Sequence, residues 1–330
     1  MATRNVNIDI VRALCAIEII AFWHLIDYLP ESYALAGLGR TIGEELTYIS
    51  LGGFSFILGY CLSKYACGTL GESLKFYKRR LIRFYPLFLL SALSFLAAKY
   101  IFGHGWFVSN WQFVGTITGV ASFFPPVPMT LWYFSMIMLF YLVTPFILHW
   151  PKTVHKAVAG LLIMGLFIGI NAFHKADYTL FLYYPFYLAG LLYPSGAVAK
   201  VEKHGLPFTI GSLLVLVAVT LSGITDSGVA KMALNYLTII AGITFLFAVS
   251  SFLAKSAGIS RFLGYVSYAS MVAYLFHRQF YHIARILFGS GADKSVSIFT
   301  AVMTAVFIFA VSYGIQYIYD KITSAAKPAR

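Results

Sequence analysis

"DIVRALCAIEIIAFWHLID", residues 9–27, is an apolar run long enough to cross most of a bilayer, yet it holds Arg12, Glu18, His24 and Asp27. An ionisable side chain inside hydrocarbon costs roughly 2.5 kcal/mol or more on insertion scales, so each needs a partner, a water-filled cavity or a function. The chain around this run has 330 residues, 60% hydrophobic and only 11% charged, with a mean hydropathy of +0.79. A soluble domain of this length carries far more polar surface. The composition predicts an all-α fold, a polytopic membrane helix bundle, because a lipid-spanning backbone must satisfy its own hydrogen bonds. An aromatic content of 18% fits helices that face lipid and end at interfaces anchored by Tyr and Trp.

Hydropathy predicts about ten transmembrane helices, near 10–29, 46–63, 85–102, 131–149, 157–173, 178–194, 207–224, 232–252, 264–289 and 296–319. The first has no small-residue cleavage site and is read as a retained helix. Loop cations orient the bundle. Lys64, Lys75, Lys78, Arg79, Arg80, Arg83, Lys152, Lys156, Lys200, Lys203, Lys255, Arg261, Lys321, Lys327 and Arg330 fall on one side, against Arg40, Lys175, Lys231 and Lys294 on the other. Both termini are therefore expected in the cytoplasm. The same rule accounts for the net charge of +12, so no nucleic-acid partner is expected. The proline-rich stretch 103–130 is expected to pack on the outer face or re-enter the bundle. Composition does not change along the chain, so a single transmembrane domain over 1–330 is expected, without a fused extracytoplasmic domain. Cys15, Cys61 and Cys67 form no metal-ligand spacing with histidine, and no metal is expected.

"KFYKRRLIRFYPLFLL", residues 75–90, places cations at the cytoplasmic mouth of the third span. Arg80 and Arg83, three apart, share a face if the helix begins this early. A paired guanidinium fork suits phosphate, with Lys78 and Arg79 beside it. The plainer reading is a topology signal that also touches anionic membrane lipids.

"RRLIRFYP" resembles the Arg-x-x-Arg segment of the acyltransferase 3 family, integral membrane O-acyltransferases acting on extracytoplasmic glycans. Other segments agree in order. "NIDIVRAL" is similar to its opening Asp-x-x-Arg, here Asp9 and Arg12, and His24 stands where its first-helix histidine falls. "GGFSFILGYCLS" is similar to its second-helix stretch. "LWYFSMIMLFYLVTP" resembles its Trp-x-x-Ser pattern at Trp132 and Ser135. "LGYVSYASMVAYLFH" resembles its Gly-x-x-Ser-Tyr segment, here Gly264, Ser267, Tyr268 and the closing His277. Two departures stand out. Ile137 and Met138 replace an acidic pair that many members carry. Eleven residues separate Arg12 from His24 where ten are usual. On a straight helix the two would then lie about 120° apart. Either the helix holds a π-type bulge, or the pair is not used together.

The resemblance implies transfer of an acyl group, acetyl above all, from cytoplasmic acyl-CoA to a hydroxyl of a glycan or lipid-linked glycan, in the bacterial inner membrane. Its catalytic candidates are His24, as general base, and Arg12, to hold a donor phosphate or polarise the thioester carbonyl. Asp27, one turn past His24, either orients it or ends the helix. Arg80, Arg83, Lys78 and Arg79 are the candidates for the CoA phosphates, and Trp132, Ser267, Tyr268 and His277 for the remaining pocket. His277 and His24 each stand about fourteen residues, roughly 20 Å, past the inner end of their spans, at one depth. Glu18 lies on another face and is as readily a packing residue as a catalytic one. A transporter or flippase for a glycolipid or small anion is the alternative from another class, with the same ionisable groups lining a path.

Overall fold

Every ordered segment among the described residues is helical, as a backbone in lipid requires. The computed structural model describes residues 5–26, 29, 35–102, 109–124, 129–173, 176–193, 195–222, 228–288 and 294–325. In chain order the helices are α1 (Val6–Ile17), a π-helical turn (Glu18–Trp23), α2 (His24–Ile26), α3 (Gly37–Leu62), α4 (Leu70–Phe102), α5 (Asn110–Ile117), α6 (Leu131–Leu148), α7 (Thr153–Phe173), α8 (Tyr178–Leu192), α9 (Ser195–Lys203), α10 (Gly205–Leu221), α11 (Val229–Leu253), α12 (Ala257–Phe288) and α13 (Lys294–Ala325).

Among the described residues, each expected span overlaps a helix. Six of these, α3, α4, α6, α7, α11 and α13, are long and apolar enough to cross a membrane. The shorter α8 and α10 are apolar but have only 15 and 17 residues. The first and ninth expected spans lie on α1–α2 and α12 and carry Arg12, Glu18, His24, His277 and Arg278. Several helices begin well before their apolar stretch. Hydropathy marks the segment that lies in hydrocarbon, whereas capping decides where the hydrogen-bond ladder starts. At α4 this is explicit: Thr69 N–H donates to Glu72 Oε2 at 3.0 Å and Glu72 N–H to Thr69 Oγ1 at 3.2 Å, a reciprocal capping box. It starts the helix at Leu70 rather than near 85.

The chain divides into two compact units: residues up to Phe54 with Pro194–Ser324, and Ser55–Tyr193 with the last six residues. In the first, α1 packs on α11 and α12, and α10 on α11. Ile10, Ala13, Leu263 and Val266 form a buried cluster closed by Leu14, Ile17, Leu253, Ala254 and Phe309. Gly52 accepts Ile239 and Gly242 accepts Ile49, so a Cβ on either glycine would overlap the facing isoleucine. Small residues admitting large ones is how helices pack where lipid is as apolar as leucine.

In the second unit α4, α6, α7 and α8 form the body. Here α3 and α8 touch backbone to backbone: a Cβ at Gly59 would meet the Tyr187 carbonyl, and one at Gly190 the Phe56 carbonyl. Tyr187 stacks on Phe140 at 4.6 Å and shares a 2.7 Å hydrogen bond with Thr144 Oγ1. The described part of the 103–130 stretch packs on α4 and α6. Tyr85 Oη donates to the Ile117 carbonyl at 3.2 Å, and Ala121 N–H to Ser135 Oγ at 3.3 Å. Ser135, the serine of Trp-x-x-Ser, thus anchors this stretch.

Candidate active site

Asn5 starts the first helix, its Oδ1 accepting from the backbone N–H groups of Asn7 and Ile8 at 3.0 and 3.4 Å. Asp9 in the first turn suits the positive end of the helix dipole. Asp9 also ties α1 to α12, because Ser267 Oγ donates to its Oδ1 at 3.1 Å. Arg12 Nη1 approaches the same oxygen at 3.8 Å, and its side chain stays 33% exposed, enough to meet a ligand.

Between Arg12 and His24 the helix is π over Glu18–Trp23. A π turn absorbs one residue, so the twelve steps from Arg12 to His24 advance as eleven would, and the two differ by about 20° rather than 120°. The backbone shows how this is held. His24 N–H bonds to the Ile19 carbonyl, five residues back, which leaves the Ile20 carbonyl without its usual helical donor. Buried Tyr281 of α12 supplies one, its Oη donating to Ile20 O at 3.0 Å. Sequence reading missed Tyr281; the available signal was its place one turn after His277 on the same face.

His24 and His277 meet. Nε2 of His277 lies 2.6 Å from Nδ1 of His24, with ring centroids 4.7 Å apart and planes 11° from parallel. Rings stacked face to face cannot bring nitrogens that close, so these lie nearly coplanar and touch edge to edge. His277 is fully buried and His24 is 9% exposed. Tyr274 stands edge-on to the His277 ring at 5.7 Å. The expected shared depth of the two histidines is thus a direct contact.

Other candidates separate. Tyr268, nine residues before His277, lies about 180° round α12; it donates to Asp320 Oδ2 of α13 at 2.7 Å and takes no part in the histidine pair. With the π turn absorbing one step, Arg12 lies about 16–17 Å along the helix axis from His24. The two side chains therefore stand at different depths of the helix. Glu18 faces α3, where Thr47 Oγ1 donates to its Oε1 at 3.3 Å. Asp27 lies outside the described residues.

In the other unit, the early start of α4 does place Arg80 and Arg83 on one helical face. Their surroundings differ. Arg80 is half-buried, its guanidinium carbon 4.6 Å from the Tyr65 ring centroid and 5.6 Å from those of Phe76 and Tyr141. Its Nε is buried and has no hydrogen-bond partner among the described residues. Lys78, Arg79 and Arg83 are exposed. The cluster is one cation held against aromatic faces with three exposed cations beside it. Trp132 stacks on Tyr183 at 6.1 Å in this unit.

Over residues 5–317 the chain matches the acyltransferase domain of the acyltransferase 3 type. It belongs to that family and is an integral membrane acyltransferase. No curated protein and no solved structure matches it.

Proposed function

We propose that the protein moves an acyl group, acetyl in the first instance, from cytoplasmic acyl-CoA to a hydroxyl of a glycan or lipid-linked glycan across a bacterial inner membrane, with about ten spans and both termini inside. The observation that carries this reading is the buried His24, engaged through Nδ1 alone by the described residues, in a chain of this family. His24 Nε2 takes the proton from the acceptor hydroxyl as its oxygen attacks the thioester carbonyl carbon. The carbon–sulfur bond breaks, and the departing thiolate takes that proton back. Nothing is left over.

The donor is a polyanion and stays at the cytoplasmic side, since its phosphates cannot enter hydrocarbon. Arg80, Arg83, Lys78 and Arg79 suit those phosphates. Arg12, in the first unit, is a separate candidate for a donor phosphate. A pantetheine arm reaches roughly 15 Å, like an extended chain of four to five residues, comparable with the Arg12 to His24 separation once the arginine's own length is subtracted. A thioester beside His24 therefore leaves the diphosphate near Arg12.

The test is mass spectrometry of envelope glycans from cells carrying wild-type protein or His24→Ala. Wild type should add an acyl mass, and the variant should lose about 10²-fold or more of the transfer rate while still inserting and binding acetyl-CoA. A well-inserted His24→Ala protein that acylates at the wild-type rate would end the assignment. His24→Gln should not rescue, because an amide cannot take up the proton.

A further inference from the structure

We infer that His277 is the positioning residue that decides which nitrogen of His24 receives the proton. This deepens the reading of His24 as base and rests on it. The argument starts at the far side of His277. Its Nδ1 lies 2.8 Å from the Tyr274 carbonyl and 3.2 Å from the Ala273 carbonyl, both of its own helix. Carbonyl oxygens only accept, so Nδ1 carries a hydrogen. The ring has no exposed surface, and among the described residues the charged side chain acting on it is the cation Arg278. A further positive charge on His277 itself would be buried with no carboxylate acting on it among the described residues. His277 is therefore neutral, and its Nε2 presents a lone pair.

That lone pair sits 2.6 Å from His24 Nδ1, and two nitrogens share such a distance only with a hydrogen between them. The hydrogen belongs to His24. Its Nδ1 is thus the N–H, and its Nε2 is left as the proton acceptor, with no described residue bonded to it. The chain of constraint runs from backbone to chemistry: helix carbonyls set His277, and His277 sets His24. When Nε2 takes the substrate proton, the Nδ1–H bond to His277 becomes charge-assisted and stronger. This is the orienting work that a buried carboxylate performs in a Ser-His-Asp triad, done without placing a negative charge in the membrane. The geometry points to His277 for this task.

The experiment uses the full chain in inverted membrane vesicles, with labelled acetyl-CoA as donor and the envelope glycan of the same membranes as acceptor. His277→Leu should lower kcat about 10²-fold through loss of the fixed tautomer, with the KM for acetyl-CoA unchanged. His277→Gln puts an amide oxygen opposite His24 Nδ1 and should recover about tenfold of that loss. Nitrogen NMR of histidine-labelled protein, assigned with His24→Ala, should find the His24 hydrogen on Nδ1 in wild type and in His277→Gln, and divided between the two nitrogens in His277→Leu. Full kcat in His277→Leu, with His24→Ala inactive, overturns the positioning role and leaves His24 as base. An active His24→Ala overturns the base itself. If His277→Leu does not fold, the wild-type spectrum decides: a His24 hydrogen on Nε2 refutes the inference.

Discussion

At the scale of single residues, the two arginines of the Arg-x-x-Arg segment are the same side chain put to different use. Arg80 is gripped by Tyr65, Phe76 and Tyr141, whereas Arg83 stands in the open. Removing Arg83 should cost a charge-assisted phosphate contact worth about 1.5–3 kcal/mol, so calorimetry should find CoA affinity down by tenfold or more. Thermal unfolding should not move. Arg80→Ala should lose affinity and also lower Tm, because up to about 2 kcal/mol of cation–π attraction goes with it. Arg80→Lys should restore part of the stability and little of the binding, since an ammonium lacks the planar fork. CoA affinity that survives loss of both arginines would remove the donor site from this segment.

At the scale of elements, the π turn is what lets Arg12 and His24 share a face despite an extra residue. Deleting Ala21 should close the turn into ordinary α-helix and keep His24 pointed at His277, with acyl transfer retained. An alanine inserted after Ile17 should instead swing His24 by about 100° and abolish transfer. The reverse result would show that the turn itself, rather than the register it sets, is needed. Tyr281→Phe leaves the Ile20 carbonyl without its donor. That should cost about 1–3 kcal/mol for an unsatisfied buried group, read as a lower unfolding temperature and faster amide exchange confined to residues 18–24.

Across the whole molecule, close helix contacts and loop charge govern different things. Gly59→Leu forces a side chain into the Tyr187 carbonyl, so monodisperse protein in detergent should be lost, while Gly165→Leu on α7 meets open space and should behave as wild type. Orientation is tested by labelling single cysteines, placed in a background lacking Cys15, Cys61 and Cys67, with an impermeant maleimide. A cysteine at Ser109 should react from outside intact cells and one at Lys152 only after lysis. Labelling in the opposite sense would invert the bundle and with it the proposed side for the donor.

Composition and local pattern alone settled the all-helical class, the places of the apolar helices and the family, because hydrophobic spacing and short motifs are properties of consecutive residues. The sequence also posed the right question about Arg12 and His24, since twelve steps of an α-helix give a definite angle. It had no means of choosing the answer. Whether one extra residue becomes a π turn depends on a donor for the stranded Ile20 carbonyl, and that donor, Tyr281, is 261 residues away. Likewise His277 is 253 residues from His24, and only packing of α12 on α1 makes it a neighbour that can fix a tautomer. The same packing turned Tyr268 away toward Asp320, although it adjoins Ser267 in the chain. Side chains that touch across helices are selected by the angle and depth at which those helices meet, and a linear pattern carries neither.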